Sequence, residues 1–315
     1  MIIVVTGSSG YIGGQTMLLL KDAGHEVYGI DRREPPKHLR GVCNRFLLQD
    51  FSSDVALSWI ITKQPDAIVH CAGTSLVGPS VNHPSDYYTN NVVKTLHLLD
   101  FIRNALPQTK FIFSSSAATY GEPIMTPCHE VDPCEPVSPY GESKLMIDQI
   151  LESYHRAYNL DYVSFRYFNA CGADPQGRHG QEPDATHVIA RVLEATRDEG
   201  TFKIYGVDYP TTDGTCVRDY VHVDDIARAH ALALYHKIPA GIYNLGSSQG
   251  TSVKQIVERA AAVTGKMPTI QFGAARAGDQ PELTANSDKF NLVAGAWRHH
   301  DLDAIIQHAW AWYVR

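Results

Sequence analysis

Residues 2–31 leave this chain few folds to choose from. Ile2–Thr6, IIVVT, is a short β-branched apolar run, the kind buried on both faces of a parallel sheet. It passes directly into Gly7-Ser8-Ser9-Gly10-Tyr11-Ile12-Gly13 and then into a helical pattern through Leu18, Leu19 and Leu20 that stops at Gly24. A second strand, EVYGID, ends at Asp31. Glycines let backbone amides approach a pyrophosphate, a helix N-terminus favours its charge, and an acid past the second strand accepts from ribose hydroxyls. The spacing is GxxGxxG rather than GxGxxG, and such a turn says little alone. Strand, turn, helix, strand and acid in this order point to a dinucleotide. Gly7, Gly10, Tyr11, Ile12 and Gly13 would line its phosphates, with Asp31 at the ribose. A carboxylate there repels a 2′-phosphate and favours NAD. Arg32 and Arg33 would argue for NADP, and weigh less as solvated neighbours.

The alternation continues. NRFLLQD (44–50) reads as a third strand, with Asp50 and Phe51 at the expected adenine edge. DAIVHCAG (66–73) is a fourth, whose Cys71-Ala72-Gly73 end lets backbone approach the cofactor. A helix carrying Tyr88, Asn90, Asn91, Leu96, Leu98 and Leu99 follows, then KFIFSSS (110–116) as a fifth strand. Ligands in such sheets bind at the C-terminal ends of strands, where Ser114–Ser116 fall. Serines there are also an ordinary polar strand end.

Composition narrows the partners. The chain has 315 residues, 44% of them hydrophobic and 19% charged, with a net charge of −7. That balance gives no basic stripe for nucleic acid or an anionic membrane. No apolar run has the length of a membrane span, and MIIVVTGSSG lacks the features of a signal peptide, so a cytoplasmic protein is expected. Six cysteines without a CxxC read as reduced thiols rather than a Cys128–Cys134 disulfide or metal pair. Fifteen histidines show no HExxH or other ligand spacing, so no metal is assigned. His299-His300 is expected on a surface.

SPYGESK (138–144) sets Tyr140 and Lys144 one helical turn apart. Alone, the pair is an unremarkable helix face. With the strand-end serines upstream, Ser116, Tyr140 and Lys144 converge on one site. A tyrosine of pKa near ~10 is a poor base. An ammonium ~5 Å away contributes roughly 3 kcal/mol at an effective dielectric near 20, about two pKa units. A positive nicotinamide acts in the same direction. The phenolate can then take a proton from a substrate hydroxyl as hydride leaves the carbon. Lys144 would also hold the nicotinamide ribose, and Ser116 the substrate oxygen.

This serine, tyrosine and lysine pattern resembles the short-chain dehydrogenase/reductase superfamily over nearly the whole chain, and the length resembles its extended, nucleotide-sugar branch. Dehydratases and decarboxylases of that branch carry acids after the serine; here Ala117 and Ala118 follow, which disfavours elimination. SSSAATYG (114–121), RYFNACGADP (166–175), YGVDYPTTDGTCVRDYVHVDDIA (205–227) and RAGD (276–279) are similar to motifs of the UDP-galactose 4-epimerase family. The resemblance implies an α/β Rossmann doubly wound sheet of about seven mostly parallel strands, with a smaller C-terminal α/β substrate lobe. Residues 1–168 would form the NAD-binding lobe, joined by a return of roughly 221–248, and 169–315 the UDP-sugar lobe. It also implies a homodimer through a four-helix contact. Tyr167 joins Cys71, Asn91 and Ser114 among the implied cofactor contacts. On the substrate side Asn169, Arg218 and Arg276 would grip the diphosphate, Tyr205 stack on uracil, Val188 line the uridine pocket and Asp279 hold the ribose. Forked guanidiniums suit phosphates, although either arginine alone could be a surface ion pair. Asp224-Asp225 reads as a helix N-cap.

Two departures from the family matter. Ser75 stands where lysine is usual and Pro79 where glutamate sits, which would weaken NAD retention. Leu283 occupies the family's gate on sugar size, between an excluding tyrosine and a permissive small residue. UDP-GlcNAc/UDP-GalNAc and UDP-pentose epimerisation therefore stay open beside UDP-galactose/UDP-glucose interconversion. The rivals of another kind are a nucleotide-sugar reductase that releases its cofactor and a noncatalytic NAD or nucleotide-sugar sensor.

Overall fold

The computed structural model describes residues 1–183, 185–235, 238–276 and 279–315; Ala277 and Gly278 of the RAGD stretch lie outside them. The chain opens β1 (Ile2–Thr6), α1 (Tyr11–Asp22), β2 (Glu26–Asp31), β3 (Arg45–Leu48), α2 (Asp54–Lys63) and β4 (Ala67–His70). Two short helices, α3 (Val77–Asn82) and α4 (Pro84–Tyr87), and a wide π-type turn over Tyr88–Val93 lead to α5 (Lys94–Ala105). Then come β5 (Lys110–Ser116), α6 (Pro139–Tyr158), β6 (Tyr162–Tyr167) and β7 (Asn169–Cys171). Beyond them lie α7 (Val188–Arg197), β8 (Thr201–Tyr205), β9 (Val217–His222), α8 (Val223–Ala233) and β10 (Gly241–Leu245). The chain closes with β11 (Gly250–Ser252), α9 (Val253–Thr264), β12 (Thr269–Gly273), β13 (Glu282–Leu283), α10 (Asp288–Ala294) and α11 (Leu302–Tyr313).

The main sheet has seven strands in the order β10-β6-β5-β4-β1-β2-β3, every pairing parallel. Its strands are apolar without alternation because both faces are covered. Ile3 and Val5 join one core layer with Met17, Leu20, Ile226 and Ala229 of α1 and α8. Val4, between them, joins the opposite layer with Leu98, Leu99, Ile147 and Leu151 of α5 and α6. Each such side chain contributes about 1.5–3 kcal/mol through burial. The expected sheet is thus a Rossmann-type doubly wound sheet in the structure.

α6 begins where the sequence dictates. The Ser138 hydroxyl accepts from Gly141 N at 3.2 Å, Pro139 occupies the first turn, and Asn159 closes the helix in a left-handed conformation (φ 56°). Beyond β6, β9 organises a smaller sheet, pairing with β7 and β13 in parallel and with β11 in antiparallel. β8 pairs with β12, and α7, α9 and α11 build a separate apolar core around Ile189, Val192, Leu193, Ile256 and Ile306. The later segments α8 and β10 pack back on the main sheet, β10 pairing with β6 at its edge.

Three local expectations change. The helix expected through Tyr88 to Leu99 is broken: the Leu pattern reports α5 alone, while the π-type turn widens the backbone at Asn90 and Asn91. The cap of α8 is His222, whose ring accepts from Asp224 N at 2.9 Å, so Asp224 and Asp225 lie in the first turn. Finally, His300 turns inward rather than onto the surface, because Asp225 accepts from its backbone N and its Nδ1.

Candidate active site

The glycine turn is built against the end of β4. Gly7 has φ +71°, and a Cβ there would lie 2.6 Å from Ala72 N; one on Gly13 would lie 2.3 Å from the Gly7 carbonyl oxygen. Asp31, buried at the end of β2, accepts from Ser9 N at 3.1 Å and Arg33 N at 2.9 Å, which fixes the carboxylate beside the turn. The Arg33 side chain is largely exposed and 3.8 Å from Asp31, as a solvated neighbour should be. Tyr11 donates its hydroxyl to Gly172 O, and its own carbonyl is a 2.9 Å partner of His179 Nε2. His179 comes from far along the chain, and no local signal in the sequence marks it. Ile12 packs partly buried on the same layer.

Asp50 pairs with Lys94 at 2.6 Å and holds Ser52, whereas Phe51 is buried and set edge-on to His70, 4.7 Å between ring centroids. Phe51 therefore packs into the core rather than facing an open edge. Gly73 approaches Asn91 Oδ1 and Lys144 Nζ, the two groups a Cβ there would meet first along with the rest of the Asn91 amide. Asn91, on the π-type turn, accepts from Thr74 N at 2.8 Å and donates to Thr74 O and Ser143 Oγ, tying the loop after β4 to α6. A dinucleotide fits this edge: glycines stand where backbone must come close, a carboxylate stands at the second strand, and the polar ends of β4 and β5 face the same side.

Ser116, Tyr140 and Lys144 do converge. The Ser116 hydroxyl accepts from Ala118 N at 3.2 Å and is a hydrogen-bond partner of Tyr140. Lys144 Nζ donates to Ser114 O at 2.7 Å and sits 5.9 Å from the Tyr140 ring centroid and 4.8 Å from that of Phe113. Ser114 Oγ meets the Tyr167 hydroxyl at 3.0 Å, and that hydroxyl also pairs with His230 Nε2. Burial adds to the electrostatics that spacing suggests. Burial raises the Tyr140 phenol, with the Ser116 bond pulling the other way, and burial lowers Lys144 to about 8. Burial thus favours the neutral form of both groups, a contribution that spacing alone does not show.

The proposed substrate residues gather on the C-terminal side. Arg218 on β9 donates to Val217 O and Gln280 O, each at 2.8 Å, and lies 4.0 Å from Asp279. Arg276 pairs with Asp279 at 2.7 Å and stacks 5.0 Å from the Tyr205 ring centroid, with Lys203 on the same ring at 5.1 Å. Leu283 sits opposite Arg218 in the β13–β9 register and packs with the cluster of Ala117, Tyr120, Cys128 and Phe168. Asn169 donates to Asp219 O at 2.8 Å from neighbouring β7, and Val188 opens α7, half-buried against the C-terminal core.

A histidine cluster that spacing did not show lies behind β9. His222, His300 and His308 bring ring nitrogens within 4.8 Å of one another. Because His222 Nδ1 accepts from Asp224 N, its Nε2 carries the proton and donates to His308 Nδ1 at 3.0 Å. That pair is a hydrogen bond, and His222 as held here offers a metal no lone pair.

Comparison with known proteins places the chain in a class. The NAD dependent epimerase/dehydratase family model matches residues 3–246, and the chain belongs to that family. A UDP-glucose 4-epimerase of Halalkalibacterium halodurans is 41% identical over 99% of this chain and 96% of its own length. Among solved structures, UDP-glucose 4-epimerase from Brucella ovis in complex with NAD has a TM-score of 0.91 at 38% identity, covering 98% of this chain and 97% of that one. UDP-glucose 4-epimerase from Bifidobacterium longum in complex with NAD+ and UDP gives 0.91 at 30%, covering 99% and 98%.

Proposed function

We propose that this protein is an NAD-dependent UDP-glucose 4-epimerase, interconverting UDP-galactose and UDP-glucose through a transient 4-keto sugar. The observation that carries this reading is the convergence of Ser116, Tyr140 and Lys144 at the C-terminal ends of β4 and β5, beside a glycine turn built for a dinucleotide. The names of full-length relatives support it.

Gly7, Gly10, Tyr11, Ile12 and Gly13 cradle the cofactor's phosphates, Asp31 holds its adenosine ribose, Asp50 and Phe51 border the adenine, and Cys71, Ala72, Gly73, Asn91, Ser114, Tyr167 and Lys144 shape the nicotinamide end. NAD held there would supply the hydride acceptor and donor for sugar C4 and a positive ring charge that favours an ionised Tyr140. Tyr140 takes the O4 proton and later gives it back, while Ser116 holds that oxygen. Arg218, Arg276 and Asn169 hold the diphosphate, with Tyr205, Val188 and Asp279 on the uridine and Leu283 beside the sugar. A firm grip on the nucleotide leaves the keto sugar free to turn. Ala117 and Ala118 supply no acid for elimination.

In this reading residues 1–168, with the return of roughly 221–248, form the cofactor lobe and 169–315 the UDP-sugar lobe. The protein works as a cytoplasmic homodimer. Six free cysteines suit a reducing compartment, and no helix among the described residues is long and apolar enough to cross a membrane. Exposed Val93, beside α5, and exposed Met146 and Tyr158 of α6 give the two copies an apolar contact.

The test is UDP-galactose turnover by purified protein with no added cofactor, product being separated by chromatography. Multiple turnovers to UDP-glucose are expected, with Tyr140→Phe folded and slower by about 10²–10⁴-fold. No product from folded protein even with NAD supplied would overturn the reading.

A further inference from the structure

The catalytic helix carries a buried ion pair that nothing above uses. Asp148 lies one turn beyond Lys144 on α6 and is fully buried. Its Oδ2 accepts from Arg166 Nε at 2.9 Å and Ser115 Oγ at 3.1 Å, and its Oδ1 from Ser164 Oγ at 2.6 Å. Those partners sit on the two strands that carry the site: Ser115 lies between Ser114 and Ser116 on β5, and Ser115 faces Arg166 in the β5–β6 register. Arg166 is 3% exposed, and its guanidinium lies 4.9 Å from the Tyr120 ring centroid.

Anchoring alone does not account for the pair. α6 is already held by Ile147 and Leu151 in the main apolar layer. A buried ion pair is often no more stabilising than apolar residues of the same volume, because desolvation offsets the attraction. Its charge and its three accepted hydrogen bonds therefore serve a further purpose, and Lys144 is one helical turn away.

The groups around Lys144 leave it short of negative charge. The His70 imidazole is kept neutral by burial, pushed down to about 3, and the Cys71 thiol is pushed up to about 11 by burial. Tyr140 and Tyr87 are phenols raised by burial. Glu142, on the same turn of α6, is taken by the Tyr88 hydroxyl. Burial lowers the ammonium most; Cys71 and then Asp148, the carboxylate one helical turn along α6, act against it.

We propose that Asp148 is a positioning residue for the proton-handling pair. Through Arg166, Ser115 and Ser164 it fixes the catalytic helix against the ends of β5 and β6, and its carboxylate keeps the Lys144 ammonium charged. This rests on the epimerase reading, in which a charged Lys144 favours the Tyr140 phenolate.

The test compares kcat against pH for NAD-loaded wild type, Asp148→Asn, Asp148→Glu, and Asp148→Asn combined with Arg166→Gln. A wild type without turnover sinks the epimerase reading itself and is thereby distinguishable. In Asp148→Asn the alkaline limb of kcat should move to lower pH by roughly one unit with KM little changed, since a carboxylate near an ammonium holds its pKa up. Asp148→Glu should return the limb toward wild type. The double variant removes both charges but keeps amides for the hydrogen bonds, so it should fold and still show the displaced limb. A folded double variant with the wild-type limb, or with a uniform loss at every pH, overturns the proposal. So does a double variant that fails to fold, because a charge role leaves the hydrogen-bonded frame intact.

Discussion

Gly13→Ala tests the dinucleotide turn directly. The added methyl would lie 2.3 Å from Gly7 O, 2.9 Å from Gly7 C and 3.3 Å from Ser8 Cα, all backbone atoms. An ordinary carbon–oxygen approach is about 3.3–3.6 Å, so the turn would have to open by roughly 1 Å. It cannot retreat toward β4, because Gly7 is itself wedged against the Cys71 and Ala72 backbone. Overpacking of this kind costs about 1–3 kcal/mol. If that strain falls on the bound form, the NAD dissociation constant rises by about 5- to 150-fold. Calorimetric titration of cofactor-stripped protein, together with NAD counted per chain after gel filtration, measures it. Gly78→Ala is the control, since its Cβ meets nothing within 4 Å. A folded Gly13→Ala protein that keeps wild-type NAD affinity would refute both the close approach and the placement of the phosphates.

Two further outcomes are expected. Burial holds His70, His179, His222 and His230 neutral, down to about 3, 4, 2 and 3, so the folded chain binds fewer protons than the unfolded one below about pH 6.5. Stability is full above that pH and falls as pH drops, by about 1.4 kcal/mol per unit for each histidine; against a typical 5–15 kcal/mol the acid midpoint should lie between about pH 4 and 5.5, checked by circular dichroism, and a fold intact at pH 3.5 would contradict it. At Leu283, which packs beside Ala117 next to Ser116, Leu283→Ala should raise the ratio of UDP-GalNAc to UDP-galactose turnover and Leu283→Tyr lower it, measured by chromatography of the two 4-epimers.

What the sequence made legible was local. The β1–turn–α1–β2 unit reads directly because its signals are contiguous: a β-branched run, glycines where only glycine fits, and an acid at a strand end. Tyr140 and Lys144 read because helical spacing puts them on one face. The break in the helix at Tyr88–Val93 did not read, since Leu96, Leu98 and Leu99 report only the apolar face of α5. Nor did contacts between remote segments: His179 on the Tyr11 carbonyl, or His222, His300 and His308 behind β9. Each depends on how strands stack, which no local pattern encodes.

The electrostatics of Tyr140 carry more weight, because they concern the chemistry. Spacing supplied a lysine at about the right distance, and the structure keeps it there, 5.9 Å from the ring. Spacing could not supply the other half of the balance, which is how much water each group loses. Burial raises Tyr140 and lowers Lys144 to about 8, so the two groups are driven apart, each toward its neutral form. A lysine whose charge burial disfavours is helped by a buried counter-charge, and a phenol whose ionisation burial disfavours is helped by a positive partner. In the proposal above Asp148 meets the first need from within the helix, and NAD, when bound, would meet the second. On this account the cofactor would make Tyr140 a more effective base. That suits a reaction in which the proton and the hydride must leave the sugar together.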